Sequence, residues 1–238
     1  MKEKKICNVL ETGRFKLKKD GRLVRDYDCY HFVIPGGVRE IGDNSFENEC
    51  VLSLEIPEGI VRIGDYALAG YKGRSIQLPR TLEEIGQCAF SDSELQKIFI
   101  PKSVKRIERW AFDGCQKLQS ITFEEGIEEI GDSVFSDCNG LKRIVFPQSL
   151  KKIGIRAFWN CDCLEEVVFP EGLEEIGAMA FDCCPKLKKV NIPPKIKIGE
   201  QAFWDYWRQN GKCGYCGSEQ DGEGCTNPNC IRNKEIQK

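Results

Sequence analysis

The feature that most constrains this chain is an internal repeat with a period of 22 or 23 residues. The repeat is clearest in AFDGCQKLQSITF (111–123), AFWNCDCLEEVVF (157–169) and AFDCCPKLKKVNI (180–192). An anchor apolar residue recurs at Phe46, Leu68, Phe90, Phe112, Phe135, Phe158, Phe181 and Phe203. A fixed period of this length is typical of a solenoid, in which each repeat forms one coil and neighbouring coils share one core.

Each repeat contains two extended segments. Ile144 and Phe146 lie two residues apart and therefore share one face of a strand. Pro147 ends that strand, because proline has no N–H to donate to a neighbour. Gly154 follows the second segment, where we expect a corner too tight for a side chain. The residues that end the first segments are Pro35, Pro57, Pro79, Pro101, Glu124, Pro147, Pro170 and Pro193. The pattern predicts a β-rich solenoid of about eight coils.

The two residues before the recurrent isoleucine of the second segment alternate in charge from the third repeat onward. They are Glu83-Glu84, Lys105-Arg106, Glu128-Glu129, Lys151-Lys152, Glu174-Glu175 and then Lys197. Stacking in register would place each acidic pair between two basic pairs, which stabilises neighbouring strands. We therefore interpret these charges as structural rather than as a binding site.

Most of the 14 cysteines lie either at a fixed position of the repeat or in the C-terminal segment. A column of four lies three residues after the anchor, at Cys115, Cys138, Cys161 and Cys184. Free cysteine packs as a small hydrophobe, so we expect this column in a buried turn. The N-terminal stretch MKEKKICNVLETGR has too short an apolar core for a signal peptide. We therefore expect reduced thiols or metal ligands and a cytoplasmic protein, with the cell surface as the alternative.

The two ends of the chain differ from the repeats. Near the start, Lys19-Asp20-Gly21 separates two alternating runs, which is a β-hairpin signal. A hairpin there would cap the first coil, since a terminal coil otherwise exposes core. We predict an N-terminal cap over residues 1–32, the solenoid over 33–209 and a metal-binding module with a tail over 210–238.

The pattern [IF]-P-x-x-V-x-x-I-G-x-x-A-F-x-x-C-x-x-L resembles the BspA-type leucine-rich repeats. It is carried by the segments from Ile100 to Leu118 and from Phe169 to Leu187, and the hairpin from Phe15 to Val24 is also similar. The resemblance extends over residues 13–207. It implies a right-handed leucine-rich-repeat solenoid that binds proteins, often in adhesion at bacterial or protist surfaces, and it implies no catalytic residues.

The C-terminal segment carries a candidate metal site. Residues 211–230 read GKCGYCGSEQDGEGCTNPNC, with the spacing Cys213-x2-Cys216-x8-Cys225-x4-Cys230. Two such thiolate pairs can complete a tetrahedral, structural zinc site of the zinc-knuckle kind, with no position open for catalysis. The segment has almost no apolar residues, so a metal would supply its stability. The alternatives are a disordered tail or a pair of disulfides.

Alternate residues of the first strands should point outward. In four successive repeats these residues are Phe99, Thr122, Val145 and Val168, which we call the apolar strip, and charged side chains flank it at Lys97 and Arg143. An exposed apolar patch with a charged rim indicates an interface. The alternative is that β-branched residues simply favour strands.

Composition narrows the function classes. The 35 basic and 37 acidic residues give a net charge of −2, which does not favour nucleic acid or a membrane surface. The chain has one histidine, His31, and no Walker, GxSxG, HExxH or dinucleotide motif. We predict a non-enzymatic protein-interaction scaffold with a structural zinc module. The alternatives are a bacterial surface adhesin and a nucleic-acid-associated regulator acting through the four cysteines.

Overall fold

A computed structural model describes residues 24–26, 29–214, 216–218, 220–221 and 224–225, with side chains at 31–214 and 216–218. Across these residues the chain winds through short strands and turns, and a six-residue helix follows the last coil. The elements are β1 (Val24–Asp26), β2 (Cys29–Val33), β3 (Glu40–Ile41), β4 (Val51–Glu55), β5 (Arg62–Ile63), β6 (Glu84–Ile85), β7 (Lys97–Ile100), β8 (Arg106–Ile107), β9 (Ser120–Phe123), β10 (Glu129–Ile130), β11 (Arg143–Val145), β12 (Lys152–Ile153), β13 (Glu166–Val168), β14 (Glu175–Ile176), β15 (Lys189–Asn191), β16 (Lys197–Ile198), α1 (Trp204–Gln209), β17 (Gln220–Asp221) and β18 (Gly224–Cys225).

The second segments of the coils stack into one parallel sheet. Its order is β3-β5-β6-β8-β10-β12-β14-β16, and eight strands in sequence order are separated by seven turns of a solenoid. The register pairs Glu129 with Arg106 on one side and with Lys152 on the other. The Arg106 guanidinium lies 3.2 Å from the Glu129 carboxylate, and Lys152 Nζ lies 3.8 Å from it. The predicted alternation of charge along this sheet is confirmed.

The first segments stack less continuously. Their strands form three separate sheets, in the orders β1-β2-β4, β7-β9 and β11-β13-β15. In the sheets β7-β9 and β11-β13-β15 the strands are parallel and in register, for example Phe99 opposite Thr122 and Val145 opposite Val168. The parallel pair of β2 and β4 has a register shift between Tyr30 and His31. A single bridge between Ser75 and Lys97 joins the coil before β7 to this face.

The core is a stack of aromatic rings along the solenoid axis. The anchor rings from Phe90 to Phe203 are fully buried, and successive ring centroids lie 5.0 to 5.2 Å apart. This separation follows from the spacing of about 4.8 Å between neighbouring strands. A second aromatic column begins at Phe123 and continues through Phe146 to Phe169, with centroids 5.9 and 5.6 Å apart. One coil could not bury these rings alone, so stacking provides the hydrophobic stabilisation.

The corner at Gly154 has the close approach that the sequence predicted. A Cβ atom there would lie 2.6 Å from the carbonyl carbon of Gly131 in the preceding coil. Each coil also has one residue in the left-handed backbone conformation shortly after this corner, with φ between 52° and 58°. We call these residues the left-handed column: Asn44, Tyr66, Cys88, Trp110, Ser133, Arg156, Met179 and Gln201.

The cysteine column is buried and hydrogen-bonded, as its structural interpretation predicted. The thiols of Cys138 and Cys161 donate to the carbonyl oxygens of Phe112 and Phe135, each at 3.3 Å. Burial raises the pKa of both thiols well above the usual value, so they stay protonated donors. The expectation of reduced thiols is wrong at one position, because Cys50 is disulfide-bonded.

The ends of the solenoid are covered in different ways. At the N-terminal end β1 pairs antiparallel with β2, while the predicted hairpin around Asp20 lies outside the described residues. His31 is exposed at this junction, and its Nδ1 lies 2.6 Å from the Ser53 hydroxyl. At the C-terminal end α1 places the buried Trp207 against Phe203, with ring centroids 5.5 Å apart. The predicted domain boundaries and the right-handed winding stay predictions.

Candidate functional site

The structure places the residues of the apolar strip on one surface, the outer face of the first strands. Phe99 and Val145 each expose 43% of their surface, although they are large apolar residues in a well-packed chain. Thr122 is also exposed, and Val168 is half-buried. Strand pairing sets the order along this face, since Phe99 lies opposite Thr122 and Val145 lies opposite Val168. The sequence prediction of which side chains point outward is therefore confirmed for this strip.

Charged groups flank the strip on one side. Lys97 is exposed at the start of β7, and Arg143 is exposed at the start of β11. The Arg143 Nε donates to the Glu166 carboxylate at 3.0 Å, across neighbouring strands. The Arg143 side chain is therefore already oriented by Glu166 in the free protein. An exposed pair of this kind contributes little to folding stability, but it fixes the direction of a charged group beside the strip.

Three shallow cavities follow the strip from coil to coil. The first, of about 490 Å³, contains Lys97, Phe99 and Thr122, and the second, of about 610 Å³, contains Thr122, Arg143 and Val145. A third, of about 460 Å³, contains Val168 and also Tyr206 from the terminal helix. The second cavity lies between β9 and β11, where the sheet of first strands is interrupted. All six residues predicted for partner binding thus line one series of depressions.

Sequence reasoning missed one contributor to this surface. Tyr206 lines the third cavity although it belongs to α1, an element that the repeat pattern does not predict. Ser120 lines both the first and the second cavity. It lies opposite Lys97 in the strand register, at one of the outward positions that the repeat predicts beside the strip.

The first cysteine pair of the candidate metal site forms a tight reverse turn. The Cys213 N–H donates to the Ser218 carbonyl at 2.9 Å, and the Gly217 N–H donates to the Cys213 carbonyl at 2.8 Å. Gly217 has a φ of +70°, a conformation that glycine adopts without strain. Cys213 is buried and Cys216 is half-buried. A turn of this kind brings two thiols of a Cys-x-x-Cys pair to the same side, as a tetrahedral metal site requires.

This turn packs against the end of the solenoid. A Cβ atom on Gly214 would lie 2.6 Å from the Trp204 ring, and one on Gly217 would lie 2.5 Å from the Trp207 ring. The Lys212 N–H also donates to the Trp207 carbonyl at 2.8 Å. Trp204 and Trp207 therefore hold the cysteine turn from one side while Trp207 contacts the Phe203 anchor on the other. The two tryptophans therefore have a packing role at this end of the solenoid.

The second cysteine pair is described only in part. Cys225 lies in β18, which pairs antiparallel with β17 and places Cys225 opposite Gln220. The Cys225 side chain and all of Cys230 lie outside the described residues. Among the side chains that are described, no group of three or more His, Cys, Asp or Glu residues is placed to hold a metal ion. The zinc site therefore stays a prediction that the turn at Cys213 and Cys216 fits.

The described residues also bear on the relation to membranes. No helix among them combines the length and the apolar character needed to cross a bilayer.

Comparison with known proteins yields one family and several solved structures. The BspA type Leucine rich repeat region matches in 6 copies, over residues 39–162 and 83–207. No curated protein matches the chain in sequence.

Several solved structures are similar to this chain, among them three bacterial proteins. A leucine-rich repeat protein of T. pallidum is 26% identical, with a TM-score of 0.57, over 79% of this chain and 86% of that one. The pneumococcal vaccine antigen PcpA is 19% identical, with a TM-score of 0.41 and 75% of each chain covered. A leucine rich cell surface protein of Faecalibacterium prausnitzii is 18% identical, with a TM-score of 0.38, over 79% of this chain and 85% of that one. The first of these likenesses supports the solenoid fold.

Proposed function

We propose that this chain, which belongs to the BspA-type leucine-rich repeat family, is a non-enzymatic scaffold that binds a protein partner through the apolar strip. The repeat fold is consistent with a protein-interaction scaffold, because a solenoid presents an extended, regular surface. The proposal adds the location of the contact and a zinc-stabilised C-terminal segment.

One observation carries the choice of surface. Phe99 and Val145 remain 43% exposed, whereas most other apolar side chains of this size in the described strands are buried or half-buried. They lie in adjoining cavities that share Thr122 and Ser120. Side chains of a partner could fill these depressions and remove the exposed apolar area from water, at roughly 25 cal/mol per Å². Lys97 and Arg143 on the rim would orient a partner that carries complementary charge.

A single substitution in the strip tests this proposal. Val145→Glu would place a carboxylate in the second cavity, where a bound partner would strip it of water. Ile155→Glu is the matched control, since Ile155 is 50% exposed at the other sheet. Partners are captured on the native protein from an extract of the source cells, and dissociation constants are then measured with the purified partner.

We expect Val145→Glu to weaken binding at least about tenfold, which corresponds to roughly 1.4 kcal/mol, while Ile155→Glu binds like the native protein. Circular dichroism confirms that both variants are folded. Unchanged binding by a folded Val145→Glu protein would exclude the strip as the partner site.

The zinc proposal is supported by the turn at Cys213 and by the chemistry of four cysteines. Cys213, Cys216, Cys225 and Cys230 would hold the ion, and a closed set of four thiolates gives it a structural role. The ion would supply the stability that this segment cannot draw from apolar burial. Cys213 is already buried, in a turn whose Gly214 and Gly217 lie against Trp204 and Trp207, so its thiolate would gain a compensating positive charge on binding.

Native mass spectrometry with elemental analysis tests the zinc proposal on protein purified without chelator. We expect one zinc ion per chain, lost in the double variant Cys213→Ser/Cys216→Ser. Cys163→Ser is the control, because Cys163 is a half-buried free thiol in the solenoid. Native protein without zinc, or a double variant that keeps it, would contradict the proposal.

A second candidate function, adhesion at the cell surface, is favoured by the disulfide at Cys50. Disulfides persist in oxidising environments and are rare in the cytosol. Alkylation of free thiols in freshly lysed cells, followed by peptide mass mapping, separates the two locations. Cys50 blocked against alkylation in the cellular protein would support the surface protein, and a fully alkylated Cys50 would support the cytoplasmic scaffold.

A further inference from the structure

A group of four side chains lies together away from the apolar strip, two of them on the left-handed column and two at the positions just before it. Tyr66, Gln87, Arg109 and Trp110 come from three neighbouring coils, and we call them the aromatic–polar cluster. Backbone hydrogen bonds fix the order of the coils, since the Tyr66 N–H donates to the Gln87 carbonyl at 2.8 Å and the Cys88 N–H donates to the Arg109 carbonyl at 3.2 Å. Tyr66 is 36% exposed and Trp110 is 38% exposed.

The polar groups of the cluster connect the two aromatic rings. Arg109 Nε donates to the Gln87 amide oxygen at 3.0 Å, and the Gln87 amide nitrogen donates to the Tyr66 hydroxyl at 3.4 Å. The Arg109 guanidinium carbon lies 4.9 Å from the centre of the Trp110 ring, a cation–π contact. A hydrogen bond with the buried Cys88 raises the pKa of Tyr66, so the phenol stays neutral. The four side chains are thus ordered before any ligand binds.

The backbone conformation at Tyr66 and Trp110 is unfavourable for aromatic residues. Tyr66 has a φ of +56° and Trp110 a φ of +58°. Bulky residues are uncommon in the left-handed region, whereas asparagine adopts it several times more readily. The same column carries asparagine at Asn44, so the fold does not require a ring there. The left-handed conformation occurs in every coil and belongs to the fold, so what needs a reason is the choice of a ring at two of its positions.

We propose that the aromatic–polar cluster is a binding site for a neutral polysaccharide whose chain runs along the solenoid axis. The rings of Tyr66 and Trp110 lie two coils apart, which is about 10 Å at the spacing of neighbouring strands. A sugar polymer carries groups that match both features of the cluster. Its C–H faces pack on aromatic rings, and its hydroxyl groups bind hydrogen-bond donors and acceptors. The Gln87 amide and the Arg109 guanidinium, between the rings, supply those hydrogen-bonding groups.

The surroundings favour an uncharged ligand over a protein surface. Between the two rings the surface carries the polar Gln87 and the charged Arg109, so the rings do not form a continuous apolar patch. The core of a protein interface is usually such a patch, depleted of charge. Groups of both signs lie in or beside the cluster, since Arg109 belongs to it and Asp65 directly precedes Tyr66 in the chain. A strongly charged polymer of either sign would therefore meet like charges.

The test uses the residue that this chain already accepts in the left-handed column. Tyr66→Asn and Trp110→Asn remove the rings while keeping a side chain suited to the backbone, and Met179→Asn is the matched control in the same column. The probes are the β-linked hexasaccharides of glucose, N-acetylglucosamine and mannose, and affinity is measured by titration calorimetry on the full chain.

We expect one of these hexasaccharides to bind the native protein. Affinity should fall about tenfold or more in Tyr66→Asn and in Trp110→Asn, and should not change in Met179→Asn. The cluster is independent of the strip, so Val145→Glu should keep the sugar affinity even where it loses the protein partner.

Two results would overturn the inference. One is that no hexasaccharide binds at millimolar concentration. The other is that a sugar binds equally well to the native protein and to both ring variants. If Tyr66→Asn weakens the protein partner and no sugar binds, the cluster belongs to a protein interface instead.

Discussion

The middle of the solenoid and its C-terminal end obtain their order in different ways. In the middle, every coil repeats the same contacts, with Phe112, Phe135 and Phe158 stacked at 5.2 Å and fully buried. At the end, the turn from Cys213 to Ser218 lies against two tryptophans and has few apolar side chains of its own. A contact that repeats in every coil can therefore be predicted from the sequence period. A contact made once cannot, because it depends on which surface lies next to it in the folded chain.

The middle of the solenoid should be the most sensitive to loss of apolar volume. Phe135→Ala removes a ring that contacts Phe112, Phe158 and Phe123 from three sides. We expect the free energy of unfolding to fall by about 3–5 kcal/mol, since the two flanking coils cannot collapse onto the cavity. Urea denaturation followed by circular dichroism measures this. Phe99→Ala, on the exposed strip, is the control and should change stability by about 0.5 kcal/mol or less.

The corner of a coil should be the next most sensitive position. Gly154→Ala would bring a methyl group to 2.6 Å from the backbone of the preceding coil, so the coils must separate locally. We expect a loss of about 1–3 kcal/mol. Gly172→Ala is the matched substitution, because the nearest atom there is the flexible Lys151 ammonium at 3.1 Å. Equal losses of stability in the two variants would show that the close approach of the preceding coil does not exclude a side chain at the corner.

The alternating charges along the sheet of second segments, which we call the charge ladder, should contribute less to the free energy of unfolding. Glu129→Lys would place a cation between Arg106 and Lys152, where the structure has an acid. The groups are exposed, so we expect a loss of about 0.5–1 kcal/mol. The loss should shrink when thermal denaturation is repeated in 1 M salt, because exposed charges are then screened. A loss independent of salt would point to packing of the side-chain stems instead.

The C-terminal end should affect the middle of the solenoid least. Contacts in a solenoid pass only between neighbouring coils, so loss of the terminal turn should not reach Phe135. We expect Cys213→Ser/Cys216→Ser to change the fluorescence of Trp204 and Trp207. The free energy of unfolding measured from the main urea transition should change by less than about 0.5 kcal/mol. A large shift of that transition would show that the end stabilises the whole array and would remove the distinction between the two regions.

The predictions from sequence succeeded where contacts repeat. The period located the anchor rings, the outward strip from Phe99 to Val168 and the partners of the charge ladder. Each of these depends on one number, the separation between equivalent residues in adjacent coils. The buried cysteine column followed for the same reason, since the position after each anchor meets the same surroundings in every coil.

The predictions were incomplete where the repeat changes. Nothing in the period indicates that the sheet of first strands breaks between β9 and β11, or that a helix over Trp204–Gln209 ends the solenoid. The disulfide at Cys50 was also missed, because bonding of a thiol depends on spatial neighbours and on redox conditions.

The repeat pattern alone is enough to predict the coil, its register and the residues that face the core, because stacking forces equivalent positions into contact at a fixed spacing. Tertiary structure decided which exposed residues meet. Tyr66, Gln87 and Arg109 lie 21 and 22 residues apart, so stacking alone places them in adjacent coils. That their side chains form one hydrogen-bonded group depends on side-chain conformation, which the period does not specify. The physical reason is that burial is encoded at every repeat, whereas a surface site forms from the few side chains that the repeat leaves free to differ.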